Sequence, residues 1–325
     1  MKIAIVYVGI AAIGYLIAAF LTSKKNSFTW IGKALSVIVT CLIFLMGFRI
    51  GENEEVVGNI GTIGLQSLIM ALVSLAIAIL AMTGVRRLIG YDKYARVKGD
   101  KSSEPEDKQK TEKPKARFFS KSTIRYLIAV IVGFILGYVL VIKTEALSFE
   151  MASSVTALLV TYGLYAMVFL VGLDMGFDGS FVKVFKSAGL RALAIPVTTA
   201  LATLASMFIM SFFVDLGAKE MACIGCTFGW YSLGPNIIME AGMITAGAYA
   251  FLVNFFRDMI CFMIIPWVAN TFGYVETIPL PQAASMDLLI ATIEGATNKA
   301  TTALAFFSGV LFTITVPVLL PIIAG

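Results

Sequence analysis

Long apolar runs, separated by short polar or glycine-containing breaks, divide most of the chain. Uninterrupted runs fall at about 3–22, 30–50, 61–83, 125–142, 152–174 and 191–214. None alternates apolar and polar residues with the period of two that a membrane β-barrel strand needs. Each comes near the roughly 20 residues that carry a helix across the hydrocarbon core, and in lipid a helix satisfies its backbone internally. Past Glu220 the pattern is less regular. A run at about 221–239 is interrupted by Ser232, Gly234, Pro235 and Asn236, and one at about 245–269 carries Asn254, Arg257 and Asp258. A short run begins near Asp287, and the last spans about 300–323. The pattern predicts an all-α fold: a polytopic membrane helical bundle of about eight spans plus one or two broken or re-entrant helices.

Composition agrees. Hydrophobic residues make up 59% of the 325 and charged residues 14%, against about 45–50% apolar in an ordinary soluble domain. The first run follows a single basic residue, Lys2, but it is long and lacks a convincing small-x-small cleavage site, so it reads as a retained span. Histidine is absent. That excludes a histidine proton relay and H-E-x-x-H zinc chemistry, and leaves proton transfer to carboxylates. The four cysteines lie in apolar surroundings, and Cys223-Ile224-Gly225-Cys226 reads as small packing residues, not a redox or metal motif. No cofactor or metal is expected.

Charge is concentrated in one place. Between Asp92 and Lys121 stand ten Lys/Arg and six acidic residues, with Pro105 and Pro114 and no apolar periodicity, the composition of a loosely ordered linker. With Arg86, Arg87 and Arg125 it holds 13 of the 25 basic residues, so the positive-inside rule places it in the cytoplasm. The Lys24–Lys25 loop and the loop with Lys183, Lys186 and Arg191 then fall inside. Glu52, Glu54, Glu55, Glu145, Glu150 and the N-terminus fall outside. The chain divides into N-terminal membrane helices (1–85), a charged cytoplasmic linker (86–124) and a C-terminal membrane transport region (125–325). Its basic charge points to membrane topology, with no nucleic-acid partner. Oligomeric state, a homo-oligomer included, stays open.

A faint repeat joins the two regions. Phe44-Leu45-Met46-Gly47 to Gly51 and Phe169-Leu170-Val171-Gly172 to Gly176 both read F-L-x-G-x-x-x-G, and Gly14-Tyr15-Leu16 and Gly137-Tyr138-Val139 stand in similar register one span earlier. Copies three spans apart run in opposite directions, the inverted repeat of many secondary transporters. Small-xxx-small pairs also arise wherever membrane helices pack closely.

Intramembrane ionisable residues are costly and mark functional sites. The stretch Gly229-Trp230-Tyr231-Ser232-Leu233-Gly234-Pro235-Asn236, leading to Glu240, predicts a broken helix whose exposed backbone groups bind ions or substrate. A proline kink with an interfacial carboxylate is the plainer alternative. In Asn254-Phe255-Phe256-Arg257-Asp258 the two charged neighbours stand about 100° apart on a helix, and a structural ion pair competes with substrate contact. Ser285 and Asp287 follow Pro279 and Pro281, where a carboxylate can meet a half-helix dipole or simply cap the helix.

At these residues the sequence resembles the lysine exporter LysO family: Phe228 to Leu233, Glu240, Asn254 to Asp258 with Pro266 after it, Ala284-Ser285-Met286-Asp287, and Phe44 to Gly47. The resemblance runs from about residue 30 to the end. It implies an inner-membrane exporter of L-lysine and analogues such as thialysine. It also implies required intramembrane acids, falling on Glu240, Asp287 and, after the span-two Met-Gly, Glu54, with Glu52 and Glu55 close by. Glu240 and Asp287 would accept the substrate's ammonium groups. Amides near Ser232–Asn236, or Arg257, would hold its carboxylate. Moving one positive charge outward against a negative interior costs about 2.3 kcal/mol per 100 mV, and exchange for an inward proton cancels that cost. The expectation is therefore lysine/proton antiport. A sodium-coupled transporter of an organic anion is the alternative. An intramembrane aspartyl protease is disfavoured: Tyr91-Asp92 has no Gly-x-Gly-Asp partner, since Val171-Gly172-Leu173-Asp174 lacks the glycines in place. No enzymatic activity is expected.

Overall fold

In a computed structural model, residues 2–20, 30–95, 121–144, 146–178, 191–286 and 288–325 are described. Most of the charged linker, the Lys24–Lys25 and Lys183–Lys186 loops, Glu145 and the expected site residue Asp287 lie outside them. Six helices among the described residues are long and apolar enough to cross a membrane, and two shorter apolar helices, Gly9–Ala18 and Ala194–Met210, accompany them. The chain is a polytopic helical membrane protein, as the apolar pattern predicts.

In chain order the helices are α1 (Lys2–Phe20), α2 (Ile31–Gly51), the short α3 (Glu54–Gly58), α4 (Ile60–Leu88), α5 (Lys121–Gly137), α6 (Phe149–Asp178) and α7 (Ala194–Met210). There follow α8 (Ala218–Cys226), α9 (Gly234–Glu240), α10 (Ile244–Thr271), α11 (Ile290–Ala296) and α12 (Lys299–Ala324), with 3-10 turns at Val275–Thr277 and Gln282–Met286. α5 continues as a π-helical turn over Tyr138–Lys143. α4 runs on to Leu88, so Arg86 and Arg87 form its last turn, where cations suit the helix dipole.

The helix pairing carries the repeat. α1 packs along α6, α2 along α5, and α4 along α7. A Cβ on Gly47 would strike the Val130 carbonyl and one on Gly51 the Phe134 carbonyl, while Gly133 and Gly137 face the Phe44 and Phe48 carbonyls. In the other pair Gly14 faces the Phe169 carbonyl, Gly172 that of Ala11, and Gly176 meets Tyr15 and Ala18. In both pairs residue numbers rise together, so the partners run parallel. Each small residue lets two backbones approach as no side chain would permit. The first helix of one repeat thus lies on the second helix of the other, an exchange a two-fold axis requires. The contacts match Gly14 with Gly133, one turn before the Gly137 that the sequence register suggests.

α1, α2, α5 and α6 form one layer. α4 and α7–α12 form the other, centred on α4, α7, α10 and α12. The layers meet mainly along α1 and α12 and more lightly along α2, α6, α9 and α10.

Candidate functional site

Two interruptions of helical structure meet within the second layer. The first runs from the end of α8 to the start of α9 and holds Phe228 (φ 40°) and Gly229 (φ 79°). Glycine tolerates this left-handed region and phenylalanine does so only under restraint. The second runs from the first 3-10 turn to the start of the second, at Gln282 (φ 53°), after Pro279 and Pro281, which cannot donate to a helix. The Ala283 amide donates to the Phe228 carbonyl at 3.0 Å. A Cβ on Gly229 would stand 2.9 Å from the Pro281 carbonyl oxygen. The two breaks therefore cross in backbone contact. Strained, non-helical backbone at such depth persists where protein or a cavity encloses it.

Side chains from neighbouring helices hold the crossing. Asn254 on α10 donates to Thr227 Oγ1 at 2.7 Å, and the Gln282 amide donates to Thr203 on α7. Ser285 Oγ lies 2.6 Å from the Gln282 carbonyl oxygen and 2.8 Å from that of Ala305, and its one hydrogen can be donated to either. It caps no helix, because α11 begins only at Ile290, after Leu289. Asn236 donates to the Ser232 carbonyl at 2.8 Å, and both residues are buried.

A cavity of about 340 Å³ opens beside the crossing, within the ~300–1,000 Å³ typical of small-molecule sites. Ser36 on α2, Tyr126 on α5 and Asp174 on α6 line one wall, and Trp230, Tyr231 and Ser232 the other. Met286 and Leu288, the neighbours of Asp287 in sequence, line it too. Gly32 and Asp174, at the start of α2 and near the end of α6, are exposed. The cavity therefore lies on the side of the bundle where α4 ends and α5 starts, the side of the charged linker. Its described lining is mostly apolar, with one carboxylate, hydroxyls and aromatic faces that can take a cation, and the Arg125 guanidinium reaches its rim, donating to Ser36 and lying over the Tyr126 ring.

Of the residues singled out in the sequence, Trp230, Tyr231 and Ser232 line the cavity, and Asn236, Asn254 and Ser285 support the crossing. Arg257 and Asp258 point apart. Arg257, 2% exposed, donates to Ser74 on α4. Asp258 borders a small void whose other walls include Tyr126, Tyr231 and Leu288 of the cavity lining. Glu240 is not brought to this cavity. At the end of α9 it meets α2 and α6 on the opposite side of the bundle: Arg49 Nη1 lies 3.1 Å from Glu240 Oε1, Arg49 Nη2 donates to the Met239 carbonyl at 3.2 Å, and Thr161 donates to Glu240 Oε2 at 2.8 Å.

Glu54 stands exposed in the first turn of α3 and Glu55 beside it. The buried acid of that turn is Glu52, 1% exposed. α2 runs to Gly51 and Glu52 is its C-cap, while Asn53 caps the next helix through Val56 and turns Glu54 outward. Burial pushes the Glu52 carboxyl up to about 7, against the lowering pull of Arg49. Arg49 is a functional candidate that the sequence reading did not single out, although it is a lone charge in an apolar run. A second missed pair, Arg86 Nε to the fully buried Glu276 Oε1 at 2.6 Å, ties the end of α4 to the turn after α10.

Parallel cross-paired repeats and two interruptions that cross beside a cavity are the arrangement found in many inverted-repeat secondary transporters. The family follows from comparison: the profile of the lysine exporter LysO family matches residues 127–324, and the chain belongs to that family. It is similar to the lysine exporter LysO of Escherichia coli (strain K12), 22% identical over 308 residues that cover 95% of this chain and 94% of that protein. It is also similar to a candidate lysine exporter of Haemophilus influenzae, 25% identical over 196 residues, 60% of this chain and 94% of that protein.

Proposed function

We propose that the protein exports L-lysine, and analogues such as thialysine, from the cytoplasm across the inner membrane in exchange for protons. The observation that carries this reading is the cavity at the crossing, where Asp174, hydroxyls and the Trp230 and Tyr231 rings interrupt an otherwise apolar wall, in a chain of the lysine exporter family. With the charged linker in the cytoplasm and the N-terminus outside, the cavity faces the cytoplasm and would load lysine there. Trp230 and Tyr231 offer faces to an ammonium group, Ser232 a hydroxyl, and Asp174, Asp258 and Asp287 negative charge near or next in sequence to the lining. Glu240, on the opposite side, would act later in the path, as the ammonium leaves. One proton moving inward for each lysine moving outward carries no net charge, so export need not oppose the membrane potential. A carboxylate that binds either a proton or an ammonium group, never both, couples the two flows.

The test is counterflow of labelled lysine in proteoliposomes, with Glu240→Gln and Asp287→Asn beside the wild type. Wild-type exchange should accelerate several-fold when the proton gradient is directed inward, and both folded variants should lose at least ~90% of the rate. A rate indifferent to the proton gradient removes the antiport reading, and no lysine exchange under a proton or a sodium gradient removes lysine as substrate.

A further inference from the structure

A second cavity, of about 620 Å³, lies on the face opposite the crossing cavity. Glu52, Glu54 and Glu55 line it from the α2–α3 turn, and Val141, Ser148 and Phe149 from the end of α5 and the start of α6. No basic residue is among its described lining residues. Glu54 and Glu55 are exposed and solvated, and alone they would say nothing.

Glu52 is different. It is 1% exposed, and neither of its carboxylate oxygens has a hydrogen-bond partner among the described residues. A carboxylate withdrawn from water is stable only when neutralised by a proton or by a cation. Arg49, one turn earlier on α2, is the nearby guanidinium, but it is hydrogen bonded to Glu240 and to the Met239 carbonyl. Glu54 and Glu55 on α3 add negative charge. Lys143 and Glu150, which follow the lining residues Ile142 and Phe149 in sequence, are both exposed. One guanidinium thus stands against two carboxylates, Glu240 and Glu52, and the region is short of one positive charge.

We propose that this cavity is a binding site for a primary ammonium group, with Glu52 as its counter-anion, on the face of the membrane opposite the crossing cavity. Val141 and Phe149 give it an apolar wall along which a methylene chain can lie, and the absence of basic lining residues selects cations. The identity of the ammonium compound as lysine rests on the export reading above. On that reading the cavity holds lysine at the exit. Burial that raises Glu52 to about 7 lets a proton from the outer side displace the departing ammonium.

Cysteine accessibility in the full-length protein in membranes tests the site without relying on transport. Cys41 is the exposed cysteine among four and Cys223, Cys226 and Cys261 are buried, so Cys41→Ala supplies the background and the exposed Ser148→Cys the reporter. A membrane-impermeant cationic methanethiosulfonate should modify the reporter at least ~10-fold faster than its anionic counterpart, since the lining is wholly acidic where charged. Millimolar 1,5-diaminopentane and lysine should slow the reaction, and norleucine, which lacks the side-chain ammonium, should not. Glu52→Gln should abolish this protection, while Glu54→Gln with Glu55→Gln should lower only the preference for the cationic reagent. Protection that survives Glu52→Gln, or no protection by either amine, overturns the proposal. Protection by diaminopentane but not lysine keeps the ammonium site and removes lysine as its ligand. Lysine counterflow without protection of the reporter keeps the export reading and removes this site.

Discussion

Glu52 ties the acid–base chemistry of the face opposite the crossing cavity to the stability of the protein. A carboxyl whose value rises on folding holds its proton more tightly in the folded chain than in the unfolded one. The stability associated with Glu52 is therefore fully present below the ordinary value of 4.5 and is lost as pH rises through about 7. Above that pH the ionised, unpartnered carboxylate weighs against the fold. Glu52→Gln should accordingly raise the melting temperature at pH 8 by several degrees and change it little at pH 4.5, as measured by scanning fluorimetry of the purified protein. An equal effect at both pH values would mean that the carboxylate is neutralised by a fixed partner. The sequence made Glu240 conspicuous, because a charge in an apolar run is rare. It did not show that Arg49 would reach Glu240 from 191 residues away, since nothing local records a contact at that distance. Nor could it choose among Glu52, Glu54 and Glu55. That choice depends on where α2 stops and on the cap that Asn53 provides, and helix ends are the part of a sequence reading most open to error.

Helices bring these residues together through glycine-mediated contacts that are equivalent in the two halves. Gly47 against Val130 and Gly172 against Ala11 occupy matching places, so Gly47→Ala and Gly172→Ala should each force a parallel pair apart and destabilise the protein by about 1–3 kcal/mol. Gly64 and Gly84 on α4 have nothing within 4 Å of an added Cβ. Alanine there should be neutral or stabilising, by at most about 1 kcal/mol. Thermal melts of the four variants check this, and similar behaviour of all four would dissolve the argument that close packing holds the repeats. The F-L-x-G-x-x-x-G match made the second helix of each repeat legible, because two spaced glycines survive in both copies. The first helices were misaligned by one turn. Their small residues differ, Gly14 and Ala18 against Gly133 and Gly137, and a glycine looks the same in a sequence at either turn. The interruption at Gly229 to Pro235 was equally legible from residues that cannot extend a helix. Its crossing with the second interruption was not, because that depends on how α8, α9 and the 3-10 turns fold back across the bundle.

On the scale of the whole molecule, the two cavities and the Arg49–Glu240 pair are parts of one arrangement. The crossing cavity lies between the layer of α1, α2, α5 and α6 and the layer that carries the interrupted helices, and it opens on the linker side. On the far side Arg49 of α2 and Thr161 of α6 hold Glu240 of α9 across the same boundary. Rocking one layer against the other would open one side as it closes the other, so this contact belongs to the state seen here and must break in the opposite one. A pair with one partner a quarter exposed contributes about 1 kcal/mol, and its loss should shift the ratio of the two states about fivefold. Val171→Cys, in the wall of the crossing cavity and in the Cys41→Ala background, reports that ratio. A reagent supplied from the linker side should label it more slowly, by up to about fivefold, when Arg49→Gln is added, and Arg49→Lys should restore part of the rate. Labelling that quickens at Val171 and at an exposed control alike would indicate general loosening. An unchanged rate would reduce the pair to a static tie, and closure of the far side would then have to come from the packing of α1 on α12, the broadest remaining contact between the layers.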